Sequence, residues 1–305
     1  MFGGLLNKME KLLYSSSSRN KFLILSLILL SFILMIRYLF LPEFKIHNPI
    51  LNKILEDLFA SGFTTVFIAY LVFWLTPKVM NNSQMEVIPP YQIKEKLKEG
   101  REGEEYWYSG GTGRHTRAVT LPEFAINSRN SNITKRLYIQ VLDPTEEKVL
   151  EAYVNYRNRV GTGARDPWDV ERARNEVIAT IVSAYIWKKE QPLLEVKVAL
   201  KKEVSLFRFD LSSNLLVITK EDPSEPALFC AEGTFFHKAY KEEIRLSLEQ
   251  NKNLRTDING FKFQDLNVER LTNLLQQLDL YDESLNASSL EKIITLIKRR
   301  ENPYA

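Results

Sequence analysis

The chain has 305 residues, a formal net charge of +3, one cysteine and 45% hydrophobic residues. A single cysteine excludes an internal disulfide bond, and so mild a positive charge does not by itself predict nucleic-acid binding. The length that follows the apolar N-terminal region is sufficient for one α/β domain with an appendage.

Two apolar runs near the N-terminus predict a transmembrane hairpin over residues 22–77. The first run, FLILSLILLSFILMIRYLFL, carries Arg37 as its only charge, and the second run, LFASGFTTVFIAYLVFWLTP, carries none. Each run has about 20 residues, which as a helix spans the bilayer core of about 30 Å. A cleaved signal peptide is disfavoured because the first run ends at Pro42 without a small-residue cleavage site.

Basic residues flank the outer ends of this hairpin. Residues 1–21 are predicted to be a cytosolic amphipathic segment, on the basis of the stretch LLNKMEKLL. This segment contains more basic than acidic residues, and Lys78 follows the second run. Because positively charged flanks stay on the cytoplasmic side, both termini are expected in the cytoplasm. The sequence therefore predicts a bacterial inner-membrane protein with two membrane-spanning helices. The lone Cys230 agrees with a reducing compartment for the rest of the chain.

Ser61, Gly62, Thr64 and Thr65 are the predicted packing residues of the second run. Small and hydroxyl-bearing side chains let another membrane helix approach closely. Neither run contains Asp, Glu or His, so no ion or proton path is predicted. The hairpin is interpreted either as a plain tether or as a self-associating element that perturbs the bilayer.

Residues 78–102 are predicted to be a linker that ends in a short helix, and residues 103–260 a cytosolic α/β domain for sensing or docking. Strand and helix patterns alternate at first, and closely spaced strands follow at 206–210 and 215–219. Early alternation favours parallel strands covered by helices, whereas closely spaced strands favour antiparallel pairing. The domain is therefore expected to contain a mixed sheet.

Three residues are predicted to begin helices within this domain. Thr120 opens a capping-box spacing, Asp166 precedes a proline at the first helical position, and Thr234 precedes an amphipathic segment.

Residues 261–305 contain two apolar stripes at helical spacing, which predict a C-terminal helical hairpin. It is interpreted either as a cap on the domain core or as a docking element. The predicted fold class is thus α/β, with an N-terminal two-helix transmembrane hairpin, a cytosolic mixed-sheet α/β domain and a C-terminal helical hairpin.

The segment YWYSGGTGRHTR, residues 106–117, is the candidate ligand site. A glycine-rich turn after a strand lets backbone N–H groups approach a phosphate, and guanidinium groups match phosphate oxygens. A strand-end acid is added because open α/β sheets place ligand groups there. The loop lacks the Lys-Ser/Thr of a P-loop and the GxGxxG spacing, so a solvated turn is the alternative. The candidate phosphate- or nucleotide-binding residues are Gly110, Gly111, Thr112, Gly113, Arg114, Arg117 and Asp143.

Other polar groups give weaker signals. Asp210 and the Glu221-Asp222 pair also follow predicted strands, where acids are most often part of a turn. Tyr153 and Arg157 lie on a helix that mixes stacking and charge, as single-stranded nucleic-acid surfaces do. The three histidines and the single cysteine show no metal-ligand spacing. No catalytic residue, metal or cofactor is predicted, apart from a possible nucleotide ligand.

Five short motifs follow the two apolar runs: WYSGGTGRHTR at 107–117, LDP at 142–144, YVNYR at 153–157, RFD at 208–210 and ITKEDP at 218–223. This layout, over most of the chain, resembles a group of bacterial membrane proteins. Some of these are similar to antiphage effectors, notably the two-transmembrane effector subunits of retron systems. The resemblance implies an abortive-infection effector that is restrained by a reverse transcriptase bearing its RNA–DNA product.

The leading hypothesis is a non-enzymatic effector at the inner-membrane lipid bilayer. Its cytosolic domain would bind a partner complex, such as a reverse transcriptase–nucleic acid complex, or a nucleotide signal. Its hairpin would disrupt the membrane when released, with homo-oligomer formation on activation. The alternatives are a membrane-anchored nucleotide-processing enzyme that uses Arg114, Arg117 and Asp143, and a non-toxic scaffold.

Overall fold

The structure is a computed structural model. It describes residues 16–36, 38, 49–75, 85–160, 166–222, 224–258, 260–282 and 284–299. The chain divides into two compact units, Met1–Gln84 and Met85–Ala305. The predicted amphipathic segment LLNKMEKLL lies outside the described residues.

The described residues of the N-terminal unit form two helices, α1 (Ser16–Met35) and α2 (Pro49–Leu75), that pack against each other. Phe22 meets Phe73 edge to face, with 6.2 Å between ring centroids. Leu30 lies against Gly62, where an added Cβ would stand 2.9 Å from the leucine Cδ2. The first residues of α1 therefore lie beside the end of α2, and the two helices run antiparallel.

Helix α2 presents its apolar side chains outward. Pro49–Trp74 is the one helix among the described residues that is long and apolar enough to cross a membrane, and none of its most apolar window is buried. The first apolar run forms most of α1, but residue 37 and residues 39–48 lie outside the described part of the chain. One candidate membrane span is therefore established by length and composition.

The second unit is built on one mixed sheet of eight described strands, which confirms the predicted α/β fold. The strand order is β1-β7-β6-β5-β2-β3-β4-β8. The three neighbours β2, β3 and β4 are parallel, and every other pairing among the described strands is antiparallel. The strands are β1 (Glu86–Ile88), β2 (Glu105–Ser109), β3 (Lys135–Leu142), β4 (Leu194–Lys201), β5 (Arg208–Ser212), β6 (Leu215–Thr219), β7 (Ala227–Ala231) and β8 (Lys252–Asn253).

Helices cover both faces of this sheet. The largest core joins one face of β2, β3 and β4 to α4, α5 and α6, while a second core joins the other face to α7, and α3 packs over β6. The helices are α3 (Pro90–Gly100), α4 (Leu121–Ser131), α5 (Glu147–Arg157), α6 (Val170–Glu190), α7 (Phe235–Gln250), α8 (Val268–Gln277) and α9 (Ala287–Lys298).

The direction of the sheet changes beside β2. Parallel β3 lies on one side of β2 and antiparallel β5 on the other, with Ser109 at the end of β2 opposite Phe209 near the start of β5. In open α/β sheets the connections diverge at such a point and leave a crevice beyond the carboxyl end of the strand. The candidate loop follows directly from this end.

The middle of helix α6 is buried because it is covered on both sides. Val177, Ile178, Ile181 and Ile186 are fully buried. The sheet lies on one side of α6, and the C-terminal helix α9 contacts its other side within the same core. The predicted C-terminal hairpin thus forms as α8 and α9 and covers α6.

Two of the predicted helix starts are wrong. Thr120 has helical backbone angles and makes no side-chain cap, because residues 114–131 are helical without interruption and include a π turn at Thr116–Thr120. Asp166 pairs instead with Arg172 at 2.7 Å, and Asp169 caps α6 by accepting the Arg172 N–H. Thr234 caps α7 as predicted, by accepting the His237 N–H.

Three short strands, β1, β7 and β8, were not predicted from the sequence. β1 lies within the segment predicted as a linker, and it forms one edge of the sheet by pairing with β7. β8 is two residues long and pairs with β4 at the other edge. Edge strands this short carry too few residues for a clear alternating pattern.

Candidate ligand site

The glycine-rich loop joins β2 directly to a helix. Residues 110–113 form the turn and the helix begins at residue 114, with the Arg117 N–H donating to the Gly113 oxygen at 2.8 Å. The sequence had placed the helix start well downstream of the last glycine. A helix N-terminus carries partial positive charge and N–H groups that favour anions. The loop therefore has the strand–turn–helix geometry that the sequence did not predict.

Hydrogen bonds hold the loop in place. The Gly110 N–H donates to Gln140 at 3.1 Å and the Leu142 N–H donates to Gly111 at 3.1 Å, so the β2–β3 ladder continues into the turn. On the other side, the Thr180 hydroxyl of α6 donates to the Thr112 oxygen at 2.8 Å. The loop is thus fixed by β3 and α6 without a ligand.

Gly113 needs to be glycine for two reasons. Its φ of +72° lies in the left-handed region, and an added Cβ would stand 2.8 Å from the Thr180 Cγ2. Side chains are unfavourable in that backbone region, and the close approach leaves no volume for a methyl group.

A cavity of about 180 Å³ opens beside this loop. It lies between α3, the loop, α5 and the facing ends of β5 and β6. Its lining consists of Pro90, Ile93, Lys94, Leu97, Tyr108, Thr112, Gly113, Arg114, His115, Tyr153, Arg157, Arg208, Asp210, Thr219, Lys220, Glu221, Asp222 and Glu225.

Three arginines from three different elements converge on the cavity. Arg114 opens the helix after the loop, Arg157 ends α5, and Arg208 opens β5. Arg157 pairs with Glu221, while Arg208 is 3.9 Å from the same carboxylate. Arginine forks are suited to phosphate and carboxylate oxygens. This wall of the cavity therefore carries three guanidinium groups, two of which lie beside the same Glu221 carboxylate.

Trp168 positions two of these arginines. The Arg157 guanidinium carbon lies 4.1 Å from the centre of the Trp168 ring, and that of Arg114 lies 5.2 Å away. The indole is buried, and Asn158 anchors its backbone through two hydrogen bonds of 2.8 and 2.9 Å. Stacking on an indole limits the freedom of each guanidinium while leaving its N–H groups available at the edge.

Burial shifts the pKa values of two titratable groups in the cavity, His115 and Asp210. Burial, followed by repulsion from Arg101 and Arg208, lowers the pKa of His115 to about 4. Burial raises the pKa of Asp210, although the hydrogen bond from Tyr106 and the charges of Arg208 and Arg101 act in the opposite direction. The Tyr106 hydroxyl donates to Asp210 Oδ1 at 2.7 Å. His115 is therefore neutral near pH 7.

The predicted site residues fall into three groups. Thr112, Gly113 and Arg114 line the cavity. Gly110 and Gly111 do not line it, but they allow close packing against Tyr108 and Tyr153, respectively, which do.

Arg117 and Asp143 lie elsewhere. Arg117 is buried and pairs with Glu176 at 2.7 Å, because its position on the helix points it towards α6. Asp143 accepts the N–H of Thr145 at 2.9 Å and its hydroxyl at 2.6 Å, which closes a turn after β3. Neither residue is among those that line the cavity.

Several lining residues had given only weak signals or none. In the sequence, Asp210 and Glu221 follow predicted strands and Arg157 lies on a predicted helix, but no local pattern joins them to the glycine loop. Arg208 was noted only within the RFD motif, since an arginine at the start of a strand is not distinctive. Among the described residues, no group of three His, Cys, Asp or Glu side chains is arranged to hold a metal ion.

The predicted packing residues of α2 are also placed. Gly62 contacts Leu30 of α1. Thr64 and Thr65 are exposed, and their hydroxyls donate within α2 to the oxygens of Ala60 and Ser61 at 2.9 Å each. Hydroxyls bonded to their own helix are satisfied in an apolar surrounding. Ser61 is exposed as well.

Comparison with known proteins adds no family to this description. A scan against protein-family models finds no match for the chain, and a search of curated proteins finds no significantly similar sequence.

Proposed function

We propose that this protein is a membrane-anchored sensor whose α/β domain binds a phosphorylated ligand, a nucleotide signal above all. The observation that carries the proposal is the convergence of Arg114, Arg157 and Arg208 with a glycine loop and a helix start in one cavity. The helix dipole, the guanidinium charges and a glycine-rich turn each favour a phosphate group. Together they occupy one crevice of the sheet.

The anchor is helix α2. Its length and outward-facing apolar side chains match a bilayer span, and we propose that the first apolar run forms a second span. Basic flanks then place both termini in the cytoplasm of a bacterial inner-membrane protein. The α/β domain would face the same compartment as the nucleotide pool.

Helix α3 is suited to relay binding to the anchor. It is the first helix after the N-terminal unit, and Pro90, Ile93, Lys94 and Leu97 line the cavity. A ligand that contacts both α3 and the arginines would change how α3 packs on the sheet. Differential contact of this kind is what shifts a conformational equilibrium.

We further propose that the protein acts as an antiphage effector. The motif layout, which resembles that of two-transmembrane retron effectors, supports this role. In this role, a reverse transcriptase–nucleic acid complex restrains the α/β domain. Release from that complex lets the hairpin associate with other copies and disrupt the membrane. The absence of acidic residues and histidine from both apolar runs favours disruption by packing over a selective ion path.

Two experiments test these proposals separately. Ligand binding is tested on the full-length protein in detergent, with pyrophosphate and nucleotides as probes and thermal stabilisation as the readout. Arg208→Gln should weaken binding about 10-fold or more, because one charge-assisted contact is lost. Arg245→Gln, which removes an exposed charge that pairs only on the α7 surface, is the control. Equal binding by both variants would contradict the site.

Membrane activity is tested by expressing the protein alone and measuring membrane potential. The full-length protein should depolarise cells, and deletion of residues 1–77 should abolish the effect. Toxicity that survives the deletion would rule out the hairpin as the active part.

A nucleotide-processing enzyme is the second candidate. It is favoured by a buried acid and a neutral histidine in the same cavity, since such groups often serve in acid–base chemistry. In this arrangement Asp210 and His115 would replace Asp143 as the reactive groups. Turnover of a nucleotide by the purified protein, lost in His115→Gln, distinguishes it from a sensor.

A further inference from the structure

The geometry points to a nucleoside phosphate as the ligand, with Asp210 as the residue that reads a hydrogen-bond donor on its sugar or base. This inference rests on the proposed phosphate site and adds what the rest of the ligand must carry. It follows from the charge balance of the cavity, the position of Asp210 and the apolar wall of α3.

The charges that line the cavity nearly cancel. Five basic side chains stand beside four acidic ones. The basic residues are Lys94, Arg114, Arg157, Arg208 and Lys220, and the acidic ones are Asp210, Glu221, Asp222 and Glu225. A site for a simple inorganic anion gains nothing from carboxylates, which repel it. The acids therefore indicate a ligand that also presents hydrogen-bond donors.

Three of the four acids already have basic or local partners. Glu221 pairs with Arg157 and accepts the Tyr153 hydroxyl at 3.0 Å. Glu225 pairs with Lys220 at 2.9 Å. Asp222 accepts the hydroxyl and the N–H of Ser224, at 2.6 and 2.9 Å, as a turn acid does.

Asp210 differs from the other three acids in its position within a strand. It lies inside the sheet on β5, opposite Tyr108 of β2, and it is 6% exposed. Within the described residues its one hydrogen-bond partner is Tyr106, a neutral donor that reaches Oδ1. An ionised carboxylate offers about four acceptor positions on its two oxygens. Asp210 lines the cavity, so donors on a ligand can reach the acceptor positions that Tyr106 leaves open.

An apolar wall stands within the same cavity. Pro90, Ile93 and Leu97 of α3 line it, and Tyr108 adds an aromatic ring. Small-molecule sites commonly combine such a wall with a few fixed polar groups. A flat ring covers the apolar wall, a phosphate meets the arginines, and a hydroxyl or amino group meets Asp210. A nucleoside phosphate carries all three features in one molecule.

The test measures selectivity rather than binding alone. Full-length protein in detergent is titrated with pyrophosphate, ribose 5-phosphate, the four nucleoside monophosphates and their 2′-deoxy forms. The wild type should bind at least one nucleoside monophosphate about 10-fold more tightly than pyrophosphate. Asp210→Asn should remove about 10-fold of that preference and leave pyrophosphate affinity unchanged or slightly higher, since a negative charge is lost.

Matched variants separate recognition from structure. Asp143→Asn alters a strand-end acid outside the cavity and should change neither affinity. Tyr106→Phe keeps the carboxylate but removes its anchor, and should lose part of the preference. A weaker effect of Asp210→Asn on 2′-deoxy nucleotides assigns the donor to the ribose hydroxyl, and an effect confined to particular bases assigns it to the base.

Three results would overturn the inference. A wild type that binds nucleotides no better than pyrophosphate removes the nucleoside requirement while leaving the phosphate site intact. An equal loss of pyrophosphate and nucleotide affinity in Asp210→Asn makes the residue structural. Absence of binding to every probe, pyrophosphate included, overturns the proposed phosphate site and this inference together.

Discussion

The two units of this protein place their apolar side chains in opposite positions. In α2, Phe63, Phe67 and Ile68 are each more than half exposed. In the α/β domain, Ile178 and Ile181 of α6 are completely buried beneath the sheet and α9. Both segments carry apolar side chains at helical spacing, but α6 has charged residues near both ends, whereas α2 has none after Asp57.

The difference lies in what surrounds each helix. Burial of an apolar side chain in a core removes it from water within the protein, at about 25 cal/mol per Å². The exposed apolar side chains of α2 lack such burial, and a bilayer would supply an apolar solvent for them. The comparison predicts that changes in α2 affect membrane insertion, and that changes in the domain affect folding and binding.

The largest expected effect is on insertion of α2. Arginine at both Phe63 and Phe67 should cost about 5–7 kcal/mol of insertion free energy, because each central charge costs about 3 kcal/mol. A cysteine at Ile68 reports the result in intact membranes through a water-soluble maleimide. The reporter should be protected in the parent protein and labelled in the double variant.

The control for this experiment places the same two charges on the domain. Phe235 and Leu246 of α7 are 60% and 45% exposed, so arginine at both positions should leave the reporter protected. Labelling of the reporter in the parent protein would contradict a membrane-spanning α2.

The next effect concerns a buried charge cluster in the domain. Glu176 lies 2.7 Å from Arg117 and 3.2 Å from Arg114. Glu176→Gln leaves buried Arg117 without its carboxylate and should cost about 3–5 kcal/mol of unfolding free energy. Urea denaturation followed by tryptophan fluorescence measures the loss.

Glu242→Gln is the matched surface control. Glu242 pairs with Arg245 at 2.8 Å, but both side chains are exposed. Its loss should cost less than about 0.5 kcal/mol. Similar losses in the two variants would mean that the interior pair is not desolvated.

A third effect depends on pH. The pKa of His115 is about 4 in the folded domain, below the ordinary value of about 6.5. Between these values the unfolded chain binds the proton first, so the domain should lose stability as pH falls from about 6.5 to about 4. The extra loss relative to His115→Gln is at most about 1.4 kcal/mol per pH unit.

Unfolding free energies of the two proteins, measured at several pH values in this window, test the shift. Above about pH 6.5 the two curves should have the same slope. Below about pH 6.5 the free energy of unfolding should fall faster for the wild type than for His115→Gln. Parallel curves throughout would show that the histidine is not held neutral by its surroundings.

The smallest effect separates crowding from backbone strain. Gly113 and Gly233 both have φ values near +75°, but a Cβ at Gly233 would meet nothing within 4 Å. Both alanine variants should lose about 1 kcal/mol from backbone strain. Gly113→Ala should lose about 1–2 kcal/mol more, because the methyl group collides with Thr180.

Thermal unfolding and pyrophosphate binding report the two parts of this effect. Gly113→Ala should also weaken binding, whereas Gly233→Ala should not. Equal behaviour would mean that the loop can shift to accept a methyl group.

Local patterns predicted much of the fold. The apolar stripes of α8 and α9, the alternation in β4 and the cap at Thr234 depend on neighbours a few residues apart, which a sequence displays directly. The prediction of a helix start at Thr120 is wrong because the capping-box spacing is a local pattern. The helix starts earlier, at a loop that β3 and α6 hold in place. That start depends on residues distant in sequence.

The site divides in the same way. The glycine loop with Thr112 and Arg114 was predicted because a run of glycines beside arginine is visible in the sequence. Arg117 is predicted to belong to the same site because it is close to the glycine loop in sequence. The helix nevertheless orients the Arg117 side chain towards Glu176.

What the sequence by itself determined is the apolar length of α2, the helical and strand periodicities and the glycine-rich turn, since each is a property of consecutive residues. Only the tertiary structure decided that Arg157, Arg208 and Asp210 meet Arg114 in one cavity. The sheet order brings β5 beside β2 although about 100 residues separate them in the chain, and that pairing is set by packing over the whole domain.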